Sequence, residues 1–231
     1  MITTATVTLA TGNGRGFDGH MARRPTGKAP GIVVLSEMFG LNDPMREVAD
    51  GYARRGFAVI VPNLFWRSEN SQGLAYDGPE REIATARLEA FDRDVGGDDI
   101  RTAVDWLRSQ PFSTGKVGAL GFCAGGTMAF VAAARAGVDA AASLYGVGIS
   151  DHLGEIDAVR CPMQIHYASN DRFVPRSEMD TVANGVRGHP TIEVYFYAAG
   201  HSFANPVRPN YDAEAAKLAW SRIDGMLEAM R

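Results

Sequence analysis

The chain has 231 residues, 45% of them hydrophobic, and its 23 basic and 27 acidic side chains give a formal net charge of -4. That is enough apolar material for one large core, expected as a single domain over 1–231, and no Lys/Arg cluster interleaved with aromatics offers a nucleic-acid footprint. Residues 1–5 lack a charged segment leading into an apolar run and no stretch approaches about 18 uninterrupted apolar residues, so a cytoplasmic protein with no membrane partner is expected.

Residues 2–9 alternate Thr with apolar side chains, and Thr11-Gly12-Asn13-Gly14 turns the chain toward 17–23, a pattern that predicts an antiparallel hairpin. From residue 31 onward apolar strands alternate with amphipathic helices: strand 31–36, helix 43–55, strand 57–61, then helices 77–90 and 98–109 with a break at Gly96 and Gly97. Residues 116–120 predict a short buried strand and 127–136 a helix rich in Ala, Met and Phe. Strands follow at 140–145, 163–168 and 191–197, with helices at 175–186 and 213–230. The alternation predicts an α/β fold, a mostly parallel central sheet with helices on both faces and an N-terminal antiparallel hairpin.

Gly121-Phe122-Cys123-Ala124-Gly125-Gly126 sits at the sharp join between a strand and a helix. In a G-x-nucleophile-x-G elbow of an α/β-hydrolase the nucleophile occupies a strained backbone position, and small neighbours are needed where strand and helix nearly collide. Cys123 is therefore the expected nucleophile, with the N–H of Ala124 available to an oxyanion. The alternative is a buried free thiol that only fills space, the reading that fits Cys161 beside Pro162. The two cysteines fall in no C-x-x-C or Cys/His spacing, so neither a disulfide framework nor a zinc site is suggested.

The hydrolase chain order places an acid and then a histidine after the nucleophile. Asp171, in the loop after strand 163–168, and His201, in Ala198-Ala199-Gly200-His201-Ser202-Phe203 after strand 191–197, fit that order. Both lie at the C-terminal edge of the sheet, where active groups of open α/β sheets gather. His166 falls inside a strand and is expected in the core, while His20, His152 and His189 are expected in loops or at the surface. Glu37 follows the apolar run 32–35 in the loop whose backbone N–H completes an oxyanion hole in this fold. It is placed either to accept a thiol proton or pair with an arginine, or as an ordinary loop carboxylate.

With Ser36-Glu37-Met38-Phe39-Gly40-Leu41-Asn42, the elbow, Tyr145-Gly146-Val147-Gly148, Asp171-Arg172-Phe173-Val174-Pro175 and Gly200-His201-Ser202-Phe203-Ala204, the chain resembles the dienelactone hydrolase (carboxymethylenebutenolidase) family nearly end to end. The resemblance implies a carboxylic ester hydrolase with Cys123, Asp171 and His201 as triad. It implies Glu37 as the group that holds the resting thiol and takes its proton, and the N–H groups of Met38 and Ala124 as oxyanion hole. The substrate it implies is a small lactone bearing a carboxylate, opened through a thioester, with no metal or organic cofactor. Arg81 matches a carboxylate-binding arginine of the family and Ser202 a hydroxyl beside the histidine. Two positions depart from the family pattern: Thr85 replaces a tyrosine and Asn205 an arginine, with Arg208 nearby but displaced. A broader esterase or lactonase of the same family, and a non-catalytic ligand-binding protein on this scaffold, are the competing readings. The protein is expected as a monomer or small homo-oligomer.

Overall fold

The computed structural model describes residues 1–12 and 14–231; Asn13 of the expected hairpin turn lies outside the described residues. The strands are β1 (Thr3–Ala10), β2 (Gly16–Arg23), β3 (Ala29–Leu35), β4 (Ala58–Pro62), β5 (Ser113–Phe122), β6 (Ala140–Leu144), β7 (Met163–Ala168) and β8 (Ile192–Tyr197). They form one eight-stranded sheet in the order β1-β2-β4-β3-β5-β6-β7-β8. β2 runs antiparallel to β1 and β4, and every other pairing is parallel.

The helices are α1 (Asp43–Arg54), α2 (Glu80–Glu89), α3 (Arg93–Ser109), α4 (Ala124–Arg135), α5 (Arg176–Gly185) and α6 (Ala213–Glu228). Because side chains alternate across a strand, β3 sends Ile32 and Val34 into a core shared with α1 and α6, and Val33 and Leu35 into a second core under α3 and α4. The central strands are thus apolar on both faces. The chain moves from β3 to β4 on one side and returns with β5 on the other, which puts the topological switch point at the C-terminal ends of β3 and β5.

Three expectations are corrected. Helix α3 runs straight through Gly96 and Gly97. It starts where the Asp92 carboxylate caps the backbone N–H groups of Asp94 and Val95 at 2.9 and 3.1 Å. A Cβ on Gly96 would stand 2.4 Å from the Phe91 ring, so here glycine serves close packing, not a break. Helix α2 begins at Glu80, three residues later than expected, because Gly78 at φ 63° turns the chain ahead of it. His20 is a buried residue of β2, its Nε2 3.3 Å from Asp50 and its Nδ1 3.1 Å from Arg46. A 3-10 stretch (Ile149–Ala158) also stands where no element is expected. Among the described residues no helix is long and apolar enough to cross a membrane.

Candidate active site

Strand β5 ends at Phe122 and α4 begins at Ala124, leaving Cys123 as the single residue between them at φ 53° and ψ -117°. L residues rarely adopt this conformation, and the surroundings dictate it. The Cys123 N–H donates to Leu144 O at 3.0 Å, and its carbonyl accepts from Gly126 N at 2.9 Å. A Cβ on Gly121 would lie 1.8 Å from Gly125 O, and one on Gly125 would lie 2.1 Å from Leu35 O. Glycine is the only residue that fits either place. Cys123 is partly exposed, whereas Cys161 is buried in the core and burial raises its thiol to about 11.

His201 follows β8 and is buried, with Nδ1 2.7 Å from Asp171 Oδ2. The other Asp171 oxygen accepts from the N–H groups of Phe173 and Val174 at 2.7 and 3.1 Å, which locks the carboxylate in the loop after β7. A carboxylate at Nδ1 fixes the tautomer and leaves Nε2 for a second partner. Burial works to lower the His201 pKa, but the charge of the Cys123 sulfur, then the Asp171 hydrogen bond, outweigh it and lift the imidazole to about 10. Cys123, Asp171 and His201, expected as a set, are thus brought together.

Glu37, in the loop after β3, is 2% exposed, and neither carboxylate oxygen makes a hydrogen bond of normal geometry. Burial pushes its pKa up, while Arg208, His201, Tyr76 and Ser202 around it pull part of the way back. The Arg208 guanidinium lies 4.3 Å over the Tyr76 ring and 5.0 Å over Phe39, and its Nε is buried without a partner. Tyr145 packs its ring 5.0 Å from His201, with its hydroxyl buried and unpaired. Among the described residues, Cys123, Tyr145 and Ser202 are the non-glycine residues at positive φ. All three stand at this one edge of the sheet.

The remaining expected residues divide. Ala124 is the first residue of α4, so its N–H has no intrahelical acceptor. Met38 lies in the loop after β3, two residues on from Ser36, whose O accepts from Gly125 N of the elbow at 3.1 Å. Ser202 is buried beside Glu37. Arg81 is exposed on the first turn of α2, and among the described residues it pairs with neither Asp77 nor any other acid. Of the groups around Glu37, Tyr76 carries no sequence signal; its position beside Asn205 arises only in three dimensions. The signal for Tyr145 is its place in a family-like segment after an apolar strand.

A family model described as the dienelactone hydrolase family matches residues 17–230. The chain belongs to the dienelactone hydrolase family. It is 37% identical over 213 residues to a carboxymethylenebutenolidase of Pseudomonas putida, covering 89% of this chain and 90% of that one. It is 35% identical to a carboxymethylenebutenolidase of Pseudomonas sp. strain P51, covering 96% and 93%. The crystal structure of a candidate dienelactone hydrolase from Klebsiella pneumoniae superposes with a TM-score of 0.88 at 21% identity over 99% of both chains, a likeness of fold. The fold is that of the α/β-hydrolases. Against the family pattern, Thr85 points its hydroxyl back to Arg81 O at 2.9 Å, and Asn205 is buried and donates to the Tyr76 hydroxyl at 3.1 Å.

Proposed function

We propose that this protein hydrolyses a small carboxylated lactone of the dienelactone type through a Cys123-His201-Asp171 triad and a thioester intermediate. The observation that carries the reading is the strained elbow that presents Cys123 to an imidazole anchored at 2.7 Å on Asp171. The named activity of the relatives gives the substrate class.

Glu37, more basic than an ordinary carboxylate because it is buried, accepts the proton that the thiol gives up as substrate arrives. The sulfur, stabilised by the His201 imidazolium, forms a bond to the lactone carbonyl carbon, and the carbonyl pair moves onto oxygen between the N–H groups of Met38 and Ala124. Collapse breaks the ring C–O bond and leaves a thioester. The leaving group is an enolate, a far better one than an alkoxide, which takes up the His201 imidazolium proton to become the keto acid. Acylation also removes the charge that chiefly holds the imidazole protonated. His201 is then neutral, takes a proton from water as the hydroxide adds to the thioester, and the sulfur leaves and recovers its own proton from Glu37. The product is a linear keto acid such as maleylacetate, and no step calls for a metal or organic cofactor.

We assign the substrate carboxylate to Arg208, with Ser202 beside it, since Arg208 is the cation next to Glu37 while Arg81 stands exposed on α2. That exposure, with Thr85 turned back on its own helix, also favours a second reading, a wider esterase or lactonase of the same family. The test is ultraviolet-monitored hydrolysis of dienelactone beside a neutral aryl ester by the wild type and Cys123→Ala. Cys123→Ala is expected to fold and to lose turnover of both, with Cys123→Ser keeping weak activity. Full turnover by Cys123→Ala would sink the mechanism, and preference for the aryl ester would select the wider esterase.

A further inference from the structure

Arg87, on α2, is 4% exposed and, among the described residues, pairs with no carboxylate. A buried guanidinium without a counter-ion costs several kcal/mol unless backbone dipoles replace its water. Burial alone lowers it to about 10. Its donors go to backbone carbonyls of two loops. Nε donates to Met38 O at 2.8 Å, and Nη1 donates to Asn70 O and Gln72 O, both at 2.9 Å. The guanidinium plane lies 4.4 Å over the Phe65 ring. Its Nη2 is buried, has no acceptor, and faces Gly40, where a Cβ would stand 2.7 Å away; Gly40 itself sits at φ 73°.

These contacts converge on residues 38–42. The same segment is tied to the 70–76 loop by Leu74 N to Phe39 O at 2.9 Å and by Asn42 Nδ2 to Leu74 O at 3.1 Å. Gly73 presses against Leu41 O, which a Cβ there would approach to 2.3 Å. Two residues before the segment, Ser36 O accepts from Gly125 N of the elbow. The loop is therefore pinned on the elbow at one end and on Arg87 at the other, with the Met38 peptide between the pins.

We propose that Arg87 is a positioning residue for the oxyanion hole: by gripping Met38 O it fixes the Met38–Phe39 peptide, and with it the setting of the adjoining Glu37–Met38 peptide, whose carbonyl is held by Gly40 N at 2.9 Å and whose N–H faces the attacked carbonyl. This rests on the function proposed above, in which Met38 N–H is one of two oxyanion donors. A hydrogen bond at Met38 O holds the rotation of the adjoining peptide planes, and a loop freed of it misaims the donor. Misplacement by about 1 Å can cost roughly a hundredfold in rate.

The experiment compares Arg87→Met and Arg87→Lys with wild type for kcat and KM on 4-nitrophenyl acetate, and for the rate of Cys123 alkylation by iodoacetamide. Alkylation is a displacement at saturated carbon and uses no oxyanion hole. Arg87→Met is expected to lose kcat by about a hundredfold with KM within threefold and alkylation within twofold. Arg87→Lys, which keeps one donor, is expected to recover part of kcat. The proposal is overturned if folded Arg87→Met keeps kcat within threefold, if alkylation falls in parallel with kcat, or if both variants lose cooperative unfolding, which leaves Arg87 a stability role alone. Cys123→Ala run alongside separates the two readings. An active Cys123→Ala removes the proposed function whatever Arg87 does, while an inactive one with an active Arg87→Met removes only the positioning role.

Discussion

Asn205 Nδ2 donates to the hydroxyl of Tyr76 at 3.1 Å, joining the loop after His201 to the loop before α2 across 129 positions of chain. The residue at the position where the family pattern carries an arginine thus acts on a phenol. Held there by Asn205, the Tyr76 phenol stands beside the Glu37 carboxyl, whose pKa it helps to pull down.

Removing that hydroxyl tests the arrangement. In Tyr76→Phe the carboxyl of Glu37 loses a group that favours its ionised form, so its pKa rises further above the usual carboxylate range. Since ionised Glu37 is the form that accepts the thiol proton in the proposed mechanism, the acid limb of the pH profile of kcat/KM is expected to move to higher pH. A profile superimposable on wild type would remove Tyr76 from the proton balance.

The His201 ring supplies a direct reading of its coupling to Cys123. With the Cys123 sulfur charged, its proton passed to Glu37, NMR titration is expected to show the wild-type imidazole protonated up to about 10, and Cys123→Ala to titrate lower, since the sulfur charge is the largest influence raising it. The folded-state value lies above the ordinary 6.5, so the stability this proton contributes is complete below pH 6.5 and lost as pH climbs through 10. Thermal midpoints are expected to fall across that window more steeply in wild type than in Cys123→Ala.

Charge selectivity separates the two arginines. Arg208→Met is expected to raise KM for the carboxylated lactone by about 10- to 100-fold, the range of a charge-assisted hydrogen bond, with the neutral aryl ester within a fewfold. Arg81→Ala, at an exposed position, is expected to change both substrates little. The reverse pattern in steady-state kinetics would return the carboxylate to Arg81.

Two glycines on opposite sides of the packing question are predicted to differ in sign. Gly121→Ala forces a Cβ to within 1.8 Å of a backbone oxygen, so the elbow must open, at an expected loss of more than about 4 kcal/mol in denaturant unfolding. Gly225→Ala lies in α6 on an exposed face with nothing within 4 Å, and is expected to stabilise by about 0.5–1 kcal/mol.

Most of this fold is legible from local pattern, because apolar strands such as Val33-Val34-Leu35 determine their own elements. The elbow is legible for the same reason: its glycines and Cys123 lie within six consecutive residues. Gly96 and Gly97 misled because a helix break and a close helix contact leave the same residue behind, and only the Phe91 ring decides between them. Tyr76 and Arg87 were beyond reach of local pattern altogether, since what they do depends on loops brought against them from residues 38 and 205.

The sheet order has a consequence for inactivation. Cys123 is mounted on β5 near the middle, while Asp171 and His201 hang from β7 and β8, and β8 is the outermost strand on that side. Peeling of this one border strand would withdraw His201 from the Cys123 sulfur while the rest of the sheet stands. With the proposed triad, loss of turnover on heating is expected to precede global melting, which makes turnover the earliest gauge of damage to that edge.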